Sequence, residues 1–153
     1  MSKKLIIYRS ESNFIDVAVK VIEKLYNDSE NVLFLCLTEE EVKAYNQKLW
    51  TYSQLSFIPS GNIYDMPIED AAYCHTWFST NIVFDNHPVV LLHNGINIDT
   101  YSDIDKFYKI IDIAIKPKNQ DISDILKKYK TAGFNDQKVW IQRGKTWEQG
   151  EAI

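Results

Sequence analysis

The sequence predicts a single α/β domain in which a mostly parallel, twisted sheet lies between helices on both faces. Two observations support this prediction. Short apolar runs that suit strands buried on both faces alternate with amphipathic stretches of helical spacing. The chain has 153 residues, a length that suits one domain with its own core. We therefore expect a three-layer α/β/α fold of Rossmann-like topology over residues 1–148 and a tail over residues 149–153.

The first half of the chain predicts a strand, helix, strand, helix, strand alternation. In order, the expected elements are a strand at 4–8, a helix from 14 to about 27, a strand at 31–37, a helix from 39 to 50 and a third short strand at 56–59. Thr38 to Glu41 has the spacing of a capping box, in which the threonine hydroxyl accepts a hydrogen bond from the third helical amide. Pro59 and Gly61 are expected to stop the third strand.

The second half continues the alternation less regularly. In order, we expect a loop at 62–70, a poorly patterned strand at 73–79, a strand at 88–92, a turn at 94–95, a short helix at 103–107, a strand at 109–115, a basic helix at 122–130 and a last edge strand at 139–141. Gly133 stands where a helix C-terminal cap is expected. Crossovers between the parallel strands should be right-handed.

The net charge of −4 is unevenly distributed along the chain. Residues 1–104 carry 7 Lys/Arg against 14 Asp/Glu, whereas residues 105–147 carry 10 Lys/Arg against 5 Asp. A basic C-terminal third favours an acidic partner, with a solvated lysine face as the alternative. No stretch has the length of a membrane span and the N-terminus lacks a signal-peptide pattern, so we expect a cytoplasmic protein that does not enter a membrane.

The sequence shows no pattern of catalysis or of cofactor binding. The turn Arg9-Ser10-Glu11-Ser12 after the first strand lacks glycine, so it matches neither a dinucleotide fingerprint nor a P-loop. Histidines and cysteines are not paired at metal-ligand spacing, and the two cysteines are interpreted as reduced core thiols. These residues are His75, His87, His93, Cys36 and Cys74. We expect no catalytic site, no cofactor and no metal.

Three aromatic side chains lie between the second helix and the third strand, namely Trp50, Tyr52 and Phe57. Connecting segments run over the surface, so large apolar side chains in one need a reason to be there. They either pack as lids over the core or form an exposed apolar patch for a partner.

A second candidate surface is basic. Its lysines are Lys116, Lys118, Lys127, Lys128 and Lys130. On a helix, residues 127 and 130 share a face with residue 123 or 126 beside them. An apolar residue flanked by lysines suits an acidic peptide that ends in a hydrophobic residue, in a salt-sensitive contact. Direct nucleic acid binding should be weak or absent, because the chain is acidic overall and the lysine set is small.

Four segments resemble, in this order, the bacterial DNA polymerase III chi subunit. They are Leu49-Trp50 with Ser56-Phe57-Ile58-Pro59, then Ile111-Asp112-Ile113, then Lys127 to Phe134, and finally Trp140 to Glu148, the last resembling the alphaproteobacterial branch. The resemblance implies an α/β fold without a working nucleotide site and a non-catalytic accessory subunit of the clamp loader. It also implies two partners: the psi subunit or an equivalent, and the acidic C-terminal tail of single-stranded-DNA-binding protein.

The resemblance also implies which residues contact each partner. Trp50 and Phe57 match the aromatic pair of the family, and with Tyr52 they are expected to face psi or its equivalent. The expected tail-binding set is Lys118, Leu126, Lys127, Lys128 and Lys130; of these, Lys127 matches a basic position of the family, and the other lysines are expected to substitute for a charge that this chain lacks. Ser123 and Leu126 occupy positions where the family often has an arginine and an aromatic residue. Two alternatives stay open: a small nucleotide- or small-molecule-binding domain, and an adaptor for a repair helicase.

Overall fold

The computed structural model describes residues 3–10, 14–52, 58–96, 101, 103–115, 122–143 and 146–150. Within these ranges the strands are β1 Lys4–Ser10, β2 Val32–Leu35, β3 Ser60–Asn62, β4 Thr76–Ser79, β5 Val90–His93, β6 Lys109–Ile115, β7 Asp136–Arg143 and β8 Thr146–Gly150. The α-helices are α1 Phe14–Asn27, α2 Glu39–Tyr52 and α3 Ile122–Thr131. Short 3-10 helices cover Ile68–Tyr73 and Ile104–Lys106.

All eight of these strands belong to one sheet with the order β3-β4-β2-β5-β6-β1-β7-β8. Every neighbouring pair is parallel except β7 and β8, which form an antiparallel hairpin. The predicted mostly parallel α/β sheet is therefore confirmed. Because β3 and β8 each pair with a single neighbour, they are the two edges of the described sheet.

The sheet separates two hydrophobic cores, and its strands alternate between them. On β2, Val32 and Phe34 pack in the first core, and Leu33 and Leu35 pack in the second. The first core also contains the apolar faces of α1 and α2, whereas the second contains that of α3 and Ile104 of the second 3-10 helix. Helices α2 and α3 therefore lie on opposite faces of the sheet, as the three-layer prediction requires.

The N-terminus of α2 has the capping bond that the sequence predicts. The amide of Glu41 donates to the hydroxyl of Thr38 at 3.1 Å. The Glu41 carboxylate reaches back one residue further than expected and accepts from the amide of Leu37 at 3.2 Å. Both bonds satisfy amides that the helix itself cannot pair.

The third strand was predicted at 56–59, but β3 is Ser60–Asn62. Pro59 lies before it and accepts hydrogen bonds from the amides of His75 and Thr76. Gly61 does not stop the strand but lies inside it. This position favours glycine, because a Cβ here would collide with Met66 Sδ and lie 2.9 Å from the ring of Trp77. The strand contains no apolar side chain, so no hydrophobic pattern marks it. Residues 56 and 57 lie outside the described part of the chain.

The C-terminal hairpin also differs from the prediction. β7 is longer than the expected edge strand and is internal, because β8 pairs along its outer side. The boundary placed after residue 148 falls within β8. Trp147 secures this strand by packing against the first core, where its ring meets that of Tyr8 edge-on at 5.4 Å. β8 has one large apolar side chain, too few to show an alternating pattern.

Candidate partner-binding surfaces

The C-terminal end of α2 presents aromatic side chains at the surface. Leu49 is buried in the first core, whereas the adjacent Trp50 is 54% exposed and Tyr52 is 37% exposed. Successive helical residues point about 100° apart, so a helix that buries residue 49 turns residue 50 outward. Trp50 and Tyr52 therefore lie at the surface and are not lids over the core. Phe57 lies outside the described residues.

Trp50 forms one wall of an open cleft of about 470 Å³ beside the edge strand β3. The remaining lining residues are Lys43, Asn46, Gln47, Ser60, Asn62, Asp65 and Met66. The cleft therefore combines an apolar wall with a polar floor.

The floor of this cleft is held together by buried amide side chains. Asn46 donates to the hydroxyl of Ser60 at 3.0 Å. The amide of Asn62 donates to the carbonyl oxygen of Asn46 at 2.7 Å and to the carboxylate of Asp65 at 2.9 Å. The sequence analysis did not identify this network. The bonds fix the relative position of α2 and β3.

The surface of α3 is basic, because Lys127, Lys128 and Lys130 are all exposed. Leu126 was expected beside them as an apolar seat, but it is 1% exposed and packs in the second core. The reason is helical phase: Leu126 and Tyr129, three residues apart, form the inward stripe of the helix. Leu126 is therefore a core residue in this structure. Lys118 lies outside the described residues.

A buried polar cluster ties α3 to the sheet, and sequence reasoning missed it. Nε2 of His93 donates to the hydroxyl of Tyr129 at 2.9 Å, and its Nδ1 accepts from the amide of Ile96 at 3.0 Å. Asp112 accepts from the amide of Gly95 at 2.7 Å and lies 3.8 Å from Nδ1 of His93.

The protonation state of this cluster follows from its burial. Burial lowers the pKa of His93, against the opposing effect of the Asp112 carboxylate, and it raises the pKa of Tyr129. The imidazole is therefore neutral at pH 7, with its proton on Nε2. Because His93, Asp112 and Tyr129 are all buried, the cluster is a structural anchor for α3.

The two cysteines agree with their interpretation as reduced core thiols. Cys36 and Cys74 are free and buried. Across the described ranges, no group of three or more His, Cys, Asp and Glu side chains is arranged to hold a metal ion. None of the described helices combines the length and apolar character that a membrane crossing needs.

Comparison with solved structures shows the same fold in another protein. The crystal structure of the Pyrococcus furiosus Hef helicase domain matches with a TM-score of 0.60 at 12% sequence identity. The match covers 94% of this chain and 36% of that one, so this chain spans about a third of the length of that structure. At this identity the similarity concerns the fold alone, a three-layer α/β/α domain.

The family follows from the sequence itself. The family model described as "DNA polymerase III chi subunit, HolC" matches residues 3–137. The chain therefore belongs to the DNA polymerase III chi subunit family, as its resemblance indicated. A comparison with curated proteins gives no match. The family is one of accessory polymerase subunits.

Proposed function

We propose that this chain is a non-catalytic accessory subunit of the clamp loader. In this role it would join the polymerase III holoenzyme, through psi or an equivalent partner, to single-stranded-DNA-binding protein in the cytoplasm. The main supporting observation is the placement of two surfaces of different chemistry on opposite faces of the sheet. The aromatic surface belongs to α2 and the basic surface belongs to α3. Two partners could therefore bind at once without competing for the same surface.

The aromatic surface is the proposed site for psi or its equivalent. Trp50 is exposed beside a cleft, and tryptophan is enriched among the residues that dominate interface energies. Tyr52, two residues later, is also exposed but points to a different side of α2, outside the cleft that Trp50 lines. Phe57 remains a prediction from the family resemblance. A surface of this kind gains affinity by removing apolar area from water, so its binding should depend little on salt.

The basic surface is the proposed site for the acidic tail of single-stranded-DNA-binding protein. Lys127, Lys128 and Lys130 provide three ammonium groups within one helical turn, and Asp124 is an exposed carboxylate one turn earlier. Lys118 remains a prediction. Since Leu126 is buried, an apolar end of the tail would have to pack against the lysine stems or another part of the surface. The contact should weaken as salt is added.

Titration with an acidic peptide that ends in phenylalanine tests the basic surface. We expect the Lys127→Glu, Lys130→Glu variant to bind at least about tenfold more weakly than the wild type, because two attractions become repulsions. The matched control is Lys20→Glu, Lys24→Glu, which makes the same charge change on exposed positions of α1. Equal affinity for the wild type and the α3 variant would remove this helix from the tail site.

Co-purification from a lysate tests the aromatic surface. We expect Trp50→Ala to lose one partner that the wild type retains, and Tyr64→Ala, which removes another exposed aromatic residue, to keep it. Mass spectrometry of that partner distinguishes a psi-like clamp-loader protein from a repair helicase, the alternative user of this surface. If Trp50→Ala retains every partner of the wild type, α2 is not the docking surface.

A further inference from the structure

A second cleft, of about 280 Å³, lies at the amino-terminal ends of β2 and β4. Its residues are Tyr26, Ser29, Asn31, Ala72, Tyr73, Cys74 and His75, and none of them lines the Trp50 cleft. We call it the tyrosine cleft. Tyr73, at the end of the first 3-10 helix, is 83% exposed, and Tyr26, in the last turn of α1, is 36% exposed. Two aromatic rings therefore border an open cavity that the proposed polymerase contacts do not use.

Two acidic residues neighbour lining residues of the tyrosine cleft. Asp70 lies one 3-10 turn before Tyr73, and Asp28 directly precedes Ser29 of the cleft. α1 also ends here, and the carbonyl end of a helix favours positive charge.

Two lysines lie on the segments that border the cleft or bind to them. Lys109 is paired with Glu30 at 2.9 Å, and Lys24 lies one helical turn before Asp28. His75 on the floor adds no charge at pH 7, because burial lowers its pKa. Its Nε2 donates to the carbonyl of Glu30 at 2.6 Å, and its Nδ1 accepts from the hydroxyl of Thr76 at 2.8 Å.

We propose that the tyrosine cleft binds the guanidinium group of an arginine side chain presented by a partner protein. A guanidinium is planar and weakly hydrated, so it can stack on an aromatic ring while its N–H groups reach carboxylates at the rim. A ring such as Tyr73 supplies the stacking face, and Asp70 and Asp28 supply the charge. A lysine ammonium lacks the planar face and should bind less well. This inference stands independently of the proposed polymerase function.

An NMR titration with acetyl-Gly-Arg-Gly-amide tests the proposal. We expect weak binding, in the millimolar range, with shifts concentrated on the rings of Tyr26 and Tyr73 and the amides of Ser29 and Ala72. The control peptide carries citrulline, which keeps the planar shape and removes the charge, and it should cause little shift. Equal shifts with both peptides, or none at Tyr73 with the arginine peptide, would overturn the proposal.

Variants separate stacking from charge. Tyr73→Ala should weaken binding about two- to fivefold, Tyr73→Phe should preserve it, and Asp70→Asn should weaken it mainly at low salt. Tyr64→Ala, the control at another exposed tyrosine, should bind like the wild type. Unchanged thermal stability of Tyr73→Ala, expected from its exposure, excludes a folding effect. Shifts at Tyr73 that grow with protein concentration alone would assign the cleft to a second copy of the chain and overturn the partner-arginine proposal.

Discussion

Helices α2 and α3 cover opposite faces of one sheet but distribute their side chains in different ways. α2 buries Leu49 and leaves the neighbouring Trp50 at the surface, whereas α3 buries Leu126 and Tyr129 and exposes charged and polar side chains, three of them lysines. The exposed apolar area of α2 is available for a partner, whereas α3 offers mainly charge. The stripe that each helix buries therefore determines which side chains remain available to a partner.

The largest predicted loss of stability concerns Leu126, in the buried stripe of α3. Leu126→Ala should lower the free energy of unfolding by about 2–5 kcal/mol, because it removes a buried side chain and leaves a cavity. Urea denaturation measures the loss. Lys127→Ala, one residue along the same helix, should change stability by about 0.5 kcal/mol or less. Similar small effects for both variants would mean that Leu126 is at the surface.

The next prediction concerns the buried His93–Tyr129 hydrogen bond that anchors α3, whereas α2 is tied to β3 by the amide network of Asn46 and Asn62. Tyr129→Phe removes the hydroxyl that accepts from Nε2 of His93, so a buried N–H loses its partner. The expected cost is about 1–3 kcal/mol of unfolding free energy. Tyr73→Phe makes the same chemical change at an exposed tyrosine and should cost almost nothing. Equal denaturation midpoints for the two variants would contradict the anchoring role.

The same anchor predicts a pH dependence. The folded pKa of His93 lies below its unfolded value of about 6.5, so below that pH the unfolded chain binds a proton that the folded chain does not. Stability should therefore fall as pH drops from about 7 to about 5, by at most about 1.4 kcal/mol per pH unit from this group. His75 acts in the same direction. The slope should flatten in His93→Gln, and an unchanged slope would exclude His93 as a contributor.

The smallest predicted loss of stability concerns the exposed Trp50 of α2. Trp50→Ala should lower the free energy of unfolding by at most about 1 kcal/mol, because more than half of the side chain is already exposed. Leu49→Ala, at the adjacent buried position, should cost about 2–5 kcal/mol. Chemical denaturation of the two variants gives both values. If Trp50→Ala is as destabilising as Leu49→Ala, loss of a partner in that variant would report unfolding.

Prediction from sequence succeeded where an element carries a strong apolar pattern. β1, β2, β6 and α1 were placed within a few residues, since each has a continuous run or a helical stripe. β3 and β8 were misplaced or missed because Ser60–Asn62 has no apolar side chain and Thr146–Gly150 has one large apolar residue. Such strands form because their neighbours offer an unpaired backbone edge, and that information lies elsewhere in the chain.

The candidate surfaces were also predicted only in part from the sequence. The sequence indicated Trp50 and the lysines of α3 as surface candidates. It left open whether Trp50 packs inward, and the prediction that Leu126 is exposed was wrong. The phase of each helix about its axis settles these questions, and packing against the sheet sets that phase. The Asn46–Asn62 network could not be predicted, because it joins α2 to a strand whose position the sequence did not reveal.

By itself, the sequence determined the α/β class, the strongest elements, the charge asymmetry and membership of the chi subunit family. Only the tertiary structure decided the strand order, the exposure of each aromatic residue, the two clefts and the cluster of His93 with Tyr129. The physical reason is the range of the interactions. Local patterns indicate which side chains of a segment face water and which face a core. Clefts and buried networks depend instead on contacts between segments far apart in the chain.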